Sequence, residues 1–259
     1  MLPHKALDLF CGAGGATRGM QRAGFHVTGV DVKPQPRYVG DAFIQADALS
    51  VSLDGYDFVW SSPPCQAHTV LKKMWNAKAH IDLIPQTRAK FKAWGGPYII
   101  ENVVGAPLIS PVLLCGTMFN LGTGDAELRR HRLFESNCFL LAPECRHGQR
   151  KASIGVYGGH LRNRKRTIGI YGEGVRDSRM KQARTIGVYG KAVRDRGLEG
   201  RLVADRNPDQ GCADWGVQEG REAMDVDWMS LTELCQAIPP AYSEFLCQQI
   251  VEQLERRAA

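Results

Sequence analysis

Cys65 and Glu101 are the side chains of this sequence best suited to covalent chemistry. Cys65 follows two prolines in "SSPPCQ" (61–66), directly after the apolar run "YDFVW". Proline cannot donate to a sheet, so the strand must end there and the cysteine stands on a rigid turn. Glu101 lies at the end of another apolar run, in "IIENVVG". A thiolate is a strong nucleophile, and a carboxyl group against an apolar wall can keep its proton and donate it. Together they suit attack on an electron-poor aromatic ring.

The elements that position these residues read as alternating strands and helices. Five strands are predicted, in "KALDLF", "HVTGVDV", "AFIQADAL", "YDFVW" and "GPYIIEN", with helices after the glycine turn of "DLFCGAGG" and around Asp82–Trp94. This alternation predicts an α/β fold with a Rossmann-like, doubly wound, mostly parallel sheet. Ligands bind outside the carboxyl ends of such strands. The residues expected on that rim are Gly12–Gly15, Asp31, Asp47, Cys65 and Glu101.

The glycine turn and two acidic residues indicate a nucleoside-containing cofactor. "DLFCGAGG" follows a strand and opens a helix, the context for close backbone approach to a ligand, but it lacks Walker A spacing. Asp31 ends the second strand, where a carboxylate accepts hydrogen bonds from ribose hydroxyls. Asp47 ends the third predicted strand, in position to meet an adenine amino group. The absence of a phosphate-gripping loop favours a cofactor without phosphates.

Composition sets the class of protein. The chain has 259 residues, of which 44% are hydrophobic, enough for one large α/β domain or one domain plus a small insert. Its eight cysteines show no disulfide-like rhythm, and neither a signal peptide nor a membrane-length apolar run is apparent. We therefore expect free thiols, no membrane association, and a reducing cytoplasmic setting.

The positive charge is concentrated in one region. The net charge is +6, yet residues 146–206 contain 16 Lys/Arg and 5 Asp/Glu. The same region repeats "SIGVYG" (153–158), "TIGIYG" (167–172) and "TIGVYG" (185–190), each a short strand, a glycine turn and basic residues. We expect three hairpin-like units that present cations to phosphates, with the tyrosines either stacked on a ligand or buried in a small core. The cations assigned to DNA binding are Arg162, Arg164, Lys165, Arg166, Arg176, Arg179, Lys181, Arg184, Lys191 and Arg194.

Four motifs give the sequence a resemblance to a known family. "DLFCGAGG", "SSPPCQ", "ENV" and "RRHRLF" occur in the order and approximate spacing of the C5-cytosine methyltransferases, particularly the short phage and bacterial members. "LCQAIPPAYSEFL" resembles the last motif of that family, which closes the cofactor pocket. The resemblance covers residues 5–140 and 228–250. It implies a catalytic domain over 1–144 and 228–259 and a small target-recognition insert over 145–227, with a short or loosely specified recognition sequence.

The resemblance also implies residue roles. Cys65 would attack C6 of a cytosine flipped out of double-stranded DNA, Glu101 would contact N3 and the exocyclic amine, and Arg132 would help to hold the base and its flanking backbone. Arg130 also matches the arginine motif and is counted with the catalytic residues. S-adenosylmethionine would be the methyl donor. The residues assigned to it are Phe10, Gly12, Gly14, Gly15, Asp31, Val32, Asp47, Ala48, Pro64 and Gln236.

Two positions depart from the family pattern. Leu128 replaces the usual Gln that begins the arginine motif, and Cys235-Gln236 replaces the usual Gly-Asn of the last motif. Gln236 still offers an amide to the cofactor, but its longer side chain changes the reach. Neither change touches the cysteine and glutamate chemistry.

The spacing of the cysteines and histidines does not favour a zinc site. Cys138, Cys145 and His147 lack a paired C-x₂-C, and a fourth ligand would have to come from distant Cys212. His131, inside "RRHRLF", is expected to lie beside phosphate or core. We therefore expect no metal.

Two other functions stay open at this stage. An RNA (tRNA) cytosine-5 methyltransferase would use the same fold and the same basic insert. A catalytically silent nucleic-acid-binding protein would keep the fold alone, against which the intact Cys65, Glu101 and Arg132 argue. A monomer is expected in either case.

Overall fold

The computed structural model describes residues 3–68, 81–157, 185–189 and 217–258. Its strands are, in chain order, β1 (Lys5–Leu9), β2 (His26–Asp31), β3 (Ala42–Gln45), β4 (Phe58–Ser61), β5 (Tyr98–Asn102), β6 (Val112–Leu114), β7 (Gly122–Thr123), β8 (Ala126–Leu128), β9 (Arg132–Ser136), β10 (Ala152–Tyr157) and β11 (Thr185–Tyr189). Its α-helices are α1 (Gly15–Arg22), α2 (Ile84–Trp94), α3 (Val217–Met224), α4 (Leu231–Gln236) and α5 (Pro240–Ala258). Within these ranges, no helix combines the length and apolar character that crossing a membrane needs.

The larger sheet has the strand order β3-β2-β1-β4-β5-β9-β6. The first five of these strands are parallel, and β9 runs antiparallel to both β5 and β6. This confirms the predicted Rossmann-like, mostly parallel α/β fold. The strand order reverses between β1 and β4, so the glycine turn after β1 and the Cys65 turn after β4 flank the crevice where such sheets bind ligands.

Helices cover both faces of this sheet because its central strands are apolar on both sides. On β1, Ala6 belongs to the core that contains Met20 of α1 and Tyr242 of α5. The next side chain, Leu7, points to the opposite face and belongs to the core that contains Phe91 of α2. The alternation is the period of two that a strand imposes. It fixes which residues of β1 face α1.

The strands predicted over the first hundred residues are present, with one end in a different place. The third strand is predicted to end at Asp47, but β3 ends at Gln45, the partner of Asp31 in the pairing with β2. Because β2 ends at Asp31, no neighbour remains for the chain to pair with. Asp47 therefore lies in the following loop, where its Oδ1 accepts a hydrogen bond from Leu49 N at 3.0 Å.

A second, smaller sheet has the order β11-β10-β8-β7. β10 and β11 contain the first and third glycine-tyrosine repeats and pair in parallel, with Gly155 opposite Gly187. The hairpin-like form expected within each unit depends on the residues that follow these strands, 158–184 and 190–216, which lie outside the described residues, so it stays a prediction. The second repeat (167–172) lies outside the described residues.

The second sheet also crosses the predicted domain boundary at 144. β7 and β8 come from the part assigned to the catalytic domain, whereas β10 and β11 come from the insert. α3, also within the expected insert, packs its buried Ala223 and Met224 with Leu128 and Ile154 of this sheet. The chain therefore enters the second sheet at β7 and β8, returns to the larger sheet at β9 and enters the second sheet again at β10.

Candidate active site

Cys65 begins a single turn of 3-10 helix (Cys65–Ala67) shortly after β4. Pro64 precedes it in an extended conformation, with φ −50° and ψ 122°, which ends the strand as the two prolines predict. His68 N donates to Cys65 O at 2.9 Å and closes the turn. Cys65 is neither in the core nor fully exposed. The cysteine therefore lies at the carboxyl edge of the sheet, on a turn of defined geometry.

Glu101 lies on β5, the strand next to β4, and is only 7% exposed. Arg132, the first residue of β9, places its Nε 3.0 Å from Glu101 Oε1. β9 pairs with β5, so one sheet carries both partners of the ion pair. The structure thus brings Glu101 and Arg132 into contact, and the charges of both act on the thiol of Cys65, the third residue predicted for this site.

The same groups shift one another's ionisation. Burial raises the pKa of Glu101, and Arg132 opposes this by favouring the carboxylate. Burial also raises the pKa of the Cys65 thiol, which Arg132 lowers and Glu101 raises. Glu101 therefore holds a proton more readily than an ordinary glutamate, and the arginine limits both shifts.

Two further residues position this site, and the sequence reasoning gave neither a role. Asn102 is buried, and its Nδ2 donates to Pro63 O at 2.9 Å, which fixes the proline turn to β5. Ser62 hydrogen-bonds the Glu101 side chain and accepts from Trp60 Nε1 at 3.0 Å. Asn102 is part of the quoted "ENV" motif, which was the available signal.

Arg130, predicted with the catalytic residues, lies close enough for its charge to lower the pKa values of Cys65 and Glu101, but its side chain is used within the protein. Its side chain is 0% exposed and donates to the carbonyl oxygens of Val156, Cys235 (3.0 Å) and Ala237 (2.5 Å). Those carbonyls belong to β10 and to the end of α4. A fully buried guanidinium committed to the backbone has no surface for a substrate, so Arg130 holds the second sheet and α4 to the arginine motif.

The glycine turn after β1 leaves open space next to an acidic side chain. Gly12 has φ +51°, a left-handed conformation that glycine tolerates, and a Cβ there would meet no atom within 4 Å. Its N–H donates to Asp31 Oδ2 at 3.1 Å. Phe10 before it also has a positive φ, of 60°. The backbone is therefore bent around a space that Asp31 borders.

Gly14 and Gly15, also assigned to the cofactor, face protein instead of open space. A Cβ on Gly14 would lie 2.9 Å from Val39 Cγ2. A Cβ on Gly15 would lie 2.6 Å from Ile238 O, in the carboxyl-terminal motif. These glycines let α1 pack closely against its neighbours, so their side of the turn is a packing contact.

The remaining residues assigned to the cofactor lie along the same edge of the sheet. Val32 is 67% exposed, directly after Asp31, whose Oδ1 accepts from Lys33 N at 2.9 Å. Asp47 and Pro64 are exposed, and Ala48 is buried. These residues follow the carboxyl ends of parallel strands, which share one edge of the sheet.

The carboxyl-terminal motif adjoins the glycine turn. Gln236 is the exposed last residue of α4, two positions before the Ile238 that packs on Gly15. Trp228 Nε1 donates to Ala13 O at 2.8 Å, and the Arg18 guanidinium lies 5.3 Å from the Trp228 ring. The sequence assigned no role to Trp228, which ties the chain before α4 to the turn.

Hydrogen bonds among Asp8, Thr17 and Tyr38 connect β1 to α1 beside the glycine turn. Thr17 Oγ1 donates to Asp8 Oδ2 at 2.5 Å and lies 3.2 Å from the Tyr38 hydroxyl oxygen. Burial raises the pKa of Asp8 to about 7, although the Thr17 hydrogen bond opposes the shift. The only sequence signal was a carboxylate inside the apolar run "ALDLF".

The cations assigned to DNA binding, from Arg162 to Arg194, all lie outside the described residues. The basic surface of the insert therefore stays a prediction.

No protein-family model matches the sequence, and no curated protein is significantly similar to it in sequence. Solved structures do match. A protein described as a DNA modification methyltransferase encoded within an E. coli prophage has a TM-score of 0.51 at 13% identity, over 97% of this chain and 99% of that one. The S. pombe Dnmt2 methyltransferase has a TM-score of 0.55 at 13% identity, over 99% and 100% of the two chains.

The chain has the fold of these two methyltransferases. At 13% identity the likeness extends to the fold and no further. It spans nearly the whole of both proteins, so the second sheet and the carboxyl-terminal helices are included in the match along with the parallel sheet.

Proposed function

We propose that this chain is a DNA (cytosine-5-)-methyltransferase that acts on a flipped cytosine through a covalent adduct at Cys65. The observation that carries the proposal is the convergence of Cys65, Glu101 and Arg132 at the carboxyl edge of β4 and β5, with Glu101 Oε1 3.0 Å from Arg132 Nε. A nucleophile beside a protonatable carboxyl group and a cation fits attack on a ring that must accept electrons.

The residues have separate roles in this reaction. Cys65 Sγ bonds to C6 of the cytosine, and the ring electrons move toward N3. The Glu101 carboxyl group protonates or hydrogen-bonds N3, and its raised pKa favours the form that can donate. C5 is then nucleophilic and takes a methyl group. Transfer of the C5 proton to water reforms the C5–C6 double bond and expels Cys65 as the thiolate, and N3 returns the donated proton to Glu101.

S-adenosylmethionine is the methyl donor in this proposal. When bound, it supplies an electrophilic methyl group. The open space at Gly12 and the Asp31 carboxylate fit a nucleoside without phosphates, with Asp31 positioned for ribose hydroxyls. Phe10, Val32, Asp47, Ala48, Pro64 and Gln236 are proposed to complete its binding site.

The cytosine must leave its duplex to react. Glu101 is 7% exposed, so a base stacked inside a helix cannot reach it. Base flipping solves this access problem for enzymes that modify bases. The basic region 146–206 supports a nucleic-acid substrate, because Lys and Arg side chains neutralise phosphates. Duplex DNA is the substrate proposed first, in keeping with the description of the prophage protein that shares the fold.

Transfer of labelled methyl groups tests the proposal. The full chain is incubated with radiolabelled S-adenosylmethionine and duplex DNA, tRNA, or duplex DNA that lacks cytosine, followed by nucleoside analysis. We expect labelled 5-methylcytosine from ordinary duplex DNA only, abolished by Cys65→Ala and retained by Cys138→Ala, a half-buried cysteine outside the site. Label in tRNA alone would establish the RNA methyltransferase instead, and label in neither would contradict both.

A further inference from the structure

Cys115, His131, Cys145 and His147 form a cluster of metal-ligating side chains apart from the proposed active-site residues. One ligand atom from each residue can be chosen so that all four atoms lie within 4.8 Å of one another. Within the part of the chain that the structure describes, no other group of three or more His, Cys, Asp or Glu side chains meets this distance condition. The four residues come from three separate segments of the chain, so the cluster is a product of folding.

The distances within the cluster suit a tetrahedral metal ion. Cys115 Sγ lies 3.4 Å from His147 Nε2, and Cys145 Sγ lies 3.4 Å from His131 Nε2. A zinc ion with Zn–S bonds of about 2.3 Å and Zn–N bonds of about 2.0–2.1 Å separates neighbouring sulfur and nitrogen ligands by roughly 3.5 Å. The two imidazole rings are inclined at 77° with centroids 5.1 Å apart, and each Nε2 lies beside a different sulfur.

The surrounding structure holds the ligands in place. Thr117 Oγ1 donates to Cys115 Sγ at 3.4 Å. The segment that carries Cys145 and His147 is held by Glu127, whose carboxylate accepts from Gly148 N at 2.8 Å and from Gln149 N at 2.9 Å. Hydrogen bonds of this kind around the ligands orient metal sites. Cys115 and the segment of Cys145 and His147 are therefore preorganised by residues that do not themselves bind the ion.

We propose that Cys115, His131, Cys145 and His147 bind a structural zinc ion. Two thiolates and two imidazoles in a tetrahedral arrangement are a ligand set that selects zinc, and four protein ligands leave no open position for a reacting water. The site is thus a closed, structural one. This proposal differs from the sequence-based expectation that the chain binds no metal.

The sequence candidates for zinc overlap only in part with this cluster. Cys145 and His147 belong to both sets. Cys138 does not, because its Sγ lies instead 3.8 Å from Asn137 Oδ1, and Cys212 lies outside the described residues. Cys115 follows β6 and His131 precedes β9, two strands whose antiparallel pairing brings them together. Because that pairing is a tertiary contact, spacing along the chain did not reveal it.

The location gives the ion a specific structural consequence. His131 is the residue between Arg130 and Arg132, and Arg132 N–H groups reach both Glu101 and the His131 carbonyl oxygen (2.9 Å). Zinc at His131 links the arginine motif to the segments on either side of β9. Its importance for orienting Arg132 toward a substrate rests on the proposed function, whereas zinc binding itself does not.

Metal analysis of the purified full chain tests the proposal without any substrate. The protein is expressed in zinc-supplemented medium, purified without chelators and analysed by mass spectrometry for metals. We expect about one zinc per chain in the wild type and in Cys138→Ser, and far less in Cys145→Ser and His147→Ala. Replacement by Co²⁺ should give the visible absorption of tetrahedral thiolate coordination. A wild-type chain that neither retains zinc nor binds Co²⁺, or equal metal content in the wild type and all three variants, would overturn the proposal.

Thiol protection gives a second readout that does not depend on mutation. Cys145 is exposed, so an unliganded thiol there should be alkylated readily. We expect slow alkylation of Cys145 in the zinc-loaded protein and rapid alkylation after a chelator is added, read by peptide mass spectrometry. Cys138 serves as the internal reference whose rate should not respond to the chelator. Equal alkylation of Cys145 with and without chelator, or a Cys115–Cys145 disulfide in its place, would contradict zinc binding. Neither readout involves methyl transfer, so either proposal can fail alone.

Discussion

Burial acts on Cys65 and Glu101 in the same direction, and Arg132 opposes it at both. The pKa values of the thiol and the carboxyl group are both raised, so the neutral form of each is favoured relative to an exposed group. The proposed reaction needs Cys65 deprotonated and Glu101 protonated. The raised pKa of Glu101 therefore favours the reaction, whereas the raised pKa of Cys65 disfavours it. The Arg132 guanidinium reduces the rise at Cys65.

The pH profile of Glu101→Gln follows from these two requirements. Between the two pKa values, the thiolate fraction rises with pH as fast as the protonated Glu101 fraction falls, so kcat/KM of the wild type should be flat over that interval. The amide that replaces the carboxyl group in the variant cannot ionise, so only the thiolate fraction remains and kcat/KM should rise roughly tenfold per pH unit. At pH 7 the variant should be slower by about 10²–10⁴-fold.

Glu135→Gln is the matched control for this measurement. Glu135 is a buried glutamate of the same sheet, paired with Arg88 at 2.7 Å, outside the site. Its variant should keep the flat wild-type profile. A flat profile in Glu101→Gln would contradict the role of Glu101 as the proton donor.

Asp8 should make folding stability depend on pH in the direction opposite to an ordinary surface carboxylate. Its pKa is raised to about 7 in the folded chain, from 3.8, chiefly by burial. Between these values the folded state binds the proton and the unfolded state does not, so stability falls as pH rises, by up to about 1.4 kcal/mol per pH unit. Asp8→Asn removes this loss.

Urea unfolding at pH 5, 6.5 and 8 measures the effect. The free energy of unfolding of Asp8→Asn minus that of the wild type should become more positive as pH rises through this window. A difference that does not change with pH would show that Asp8 is ionised in the folded protein throughout.

At the scale of elements, β5 is anchored at both ends by a side-chain amide. Asn102 Nδ2 holds Pro63 O at the active-site end. Asn137 makes the contacts at the other end, where its Oδ1 accepts from Tyr98 N and its Nδ2 donates to Gly96 O, both at 2.9 Å. Asn102 is buried, so loss of its amide contact costs about 1–3 kcal/mol, whereas Asn137 is exposed and loss of one of its hydrogen bonds costs about 0.5–1.5 kcal/mol.

The two asparagines therefore separate positioning from stability. Asn102→Ala should lower the unfolding free energy by about 1–3 kcal/mol because the amide is buried, and Asn137→Ala, whose amide is exposed, by about 0.5–1.5 kcal/mol. Only Asn102→Ala should also lower kcat, roughly 10–100-fold, because it frees the turn that carries Cys65. KM for DNA should change little in either variant. Equal kcat values in the two variants would show that the Asn102 contact does not position the cysteine.

Elements that depend on local signals were predicted, and those that depend on distant partners were not. β1, β2, β4, β5 and α2 follow from apolar runs bounded by Gly, Pro or polar residues. The short strands β6, β7 and β8 carry two or three residues each, too few to show a period. The parallel pairing of β10 with β8 and β11 joins segments remote in sequence, so the repeats alone did not reveal it.

At the scale of the whole molecule, Arg130 joins the two sheets and the carboxyl-terminal helices. Its guanidinium donates to β10 and to the end of α4, and its own carbonyl oxygen accepts from the Tyr242 hydroxyl of α5 at 2.5 Å. The sequence placed Arg130 beside the substrate because it precedes His131 and Arg132 in one motif. Their side chains separate because the segment leaves β8 for β9, a change of sheet that no local pattern shows.

Arg130→Ala should therefore act on stability. Three buried carbonyl groups lose their donor, and we expect a loss of at least about 3 kcal/mol in unfolding free energy. Arg22→Ala, which removes an exposed ion pair between α1 and Asp225, should cost less than about 1 kcal/mol. Calorimetry of both variants makes the comparison, and a small effect in Arg130→Ala would contradict its structural role.

Covalent trapping tests the central claim most directly. In 5-fluorocytosine, a fluorine atom occupies C5 in place of the hydrogen that normally leaves as a proton. Because fluorine cannot leave in this way, the bond between Cys65 Sγ and C6 persists after methylation of duplex DNA that contains this base. The full chain with S-adenosylmethionine should form a denaturation-resistant complex whose cross-linked peptide contains Cys65, absent in Cys65→Ala and present in Cys138→Ala. A chain that methylates duplex DNA without a trapped complex, or is trapped through another cysteine, would contradict Cys65 as the nucleophile.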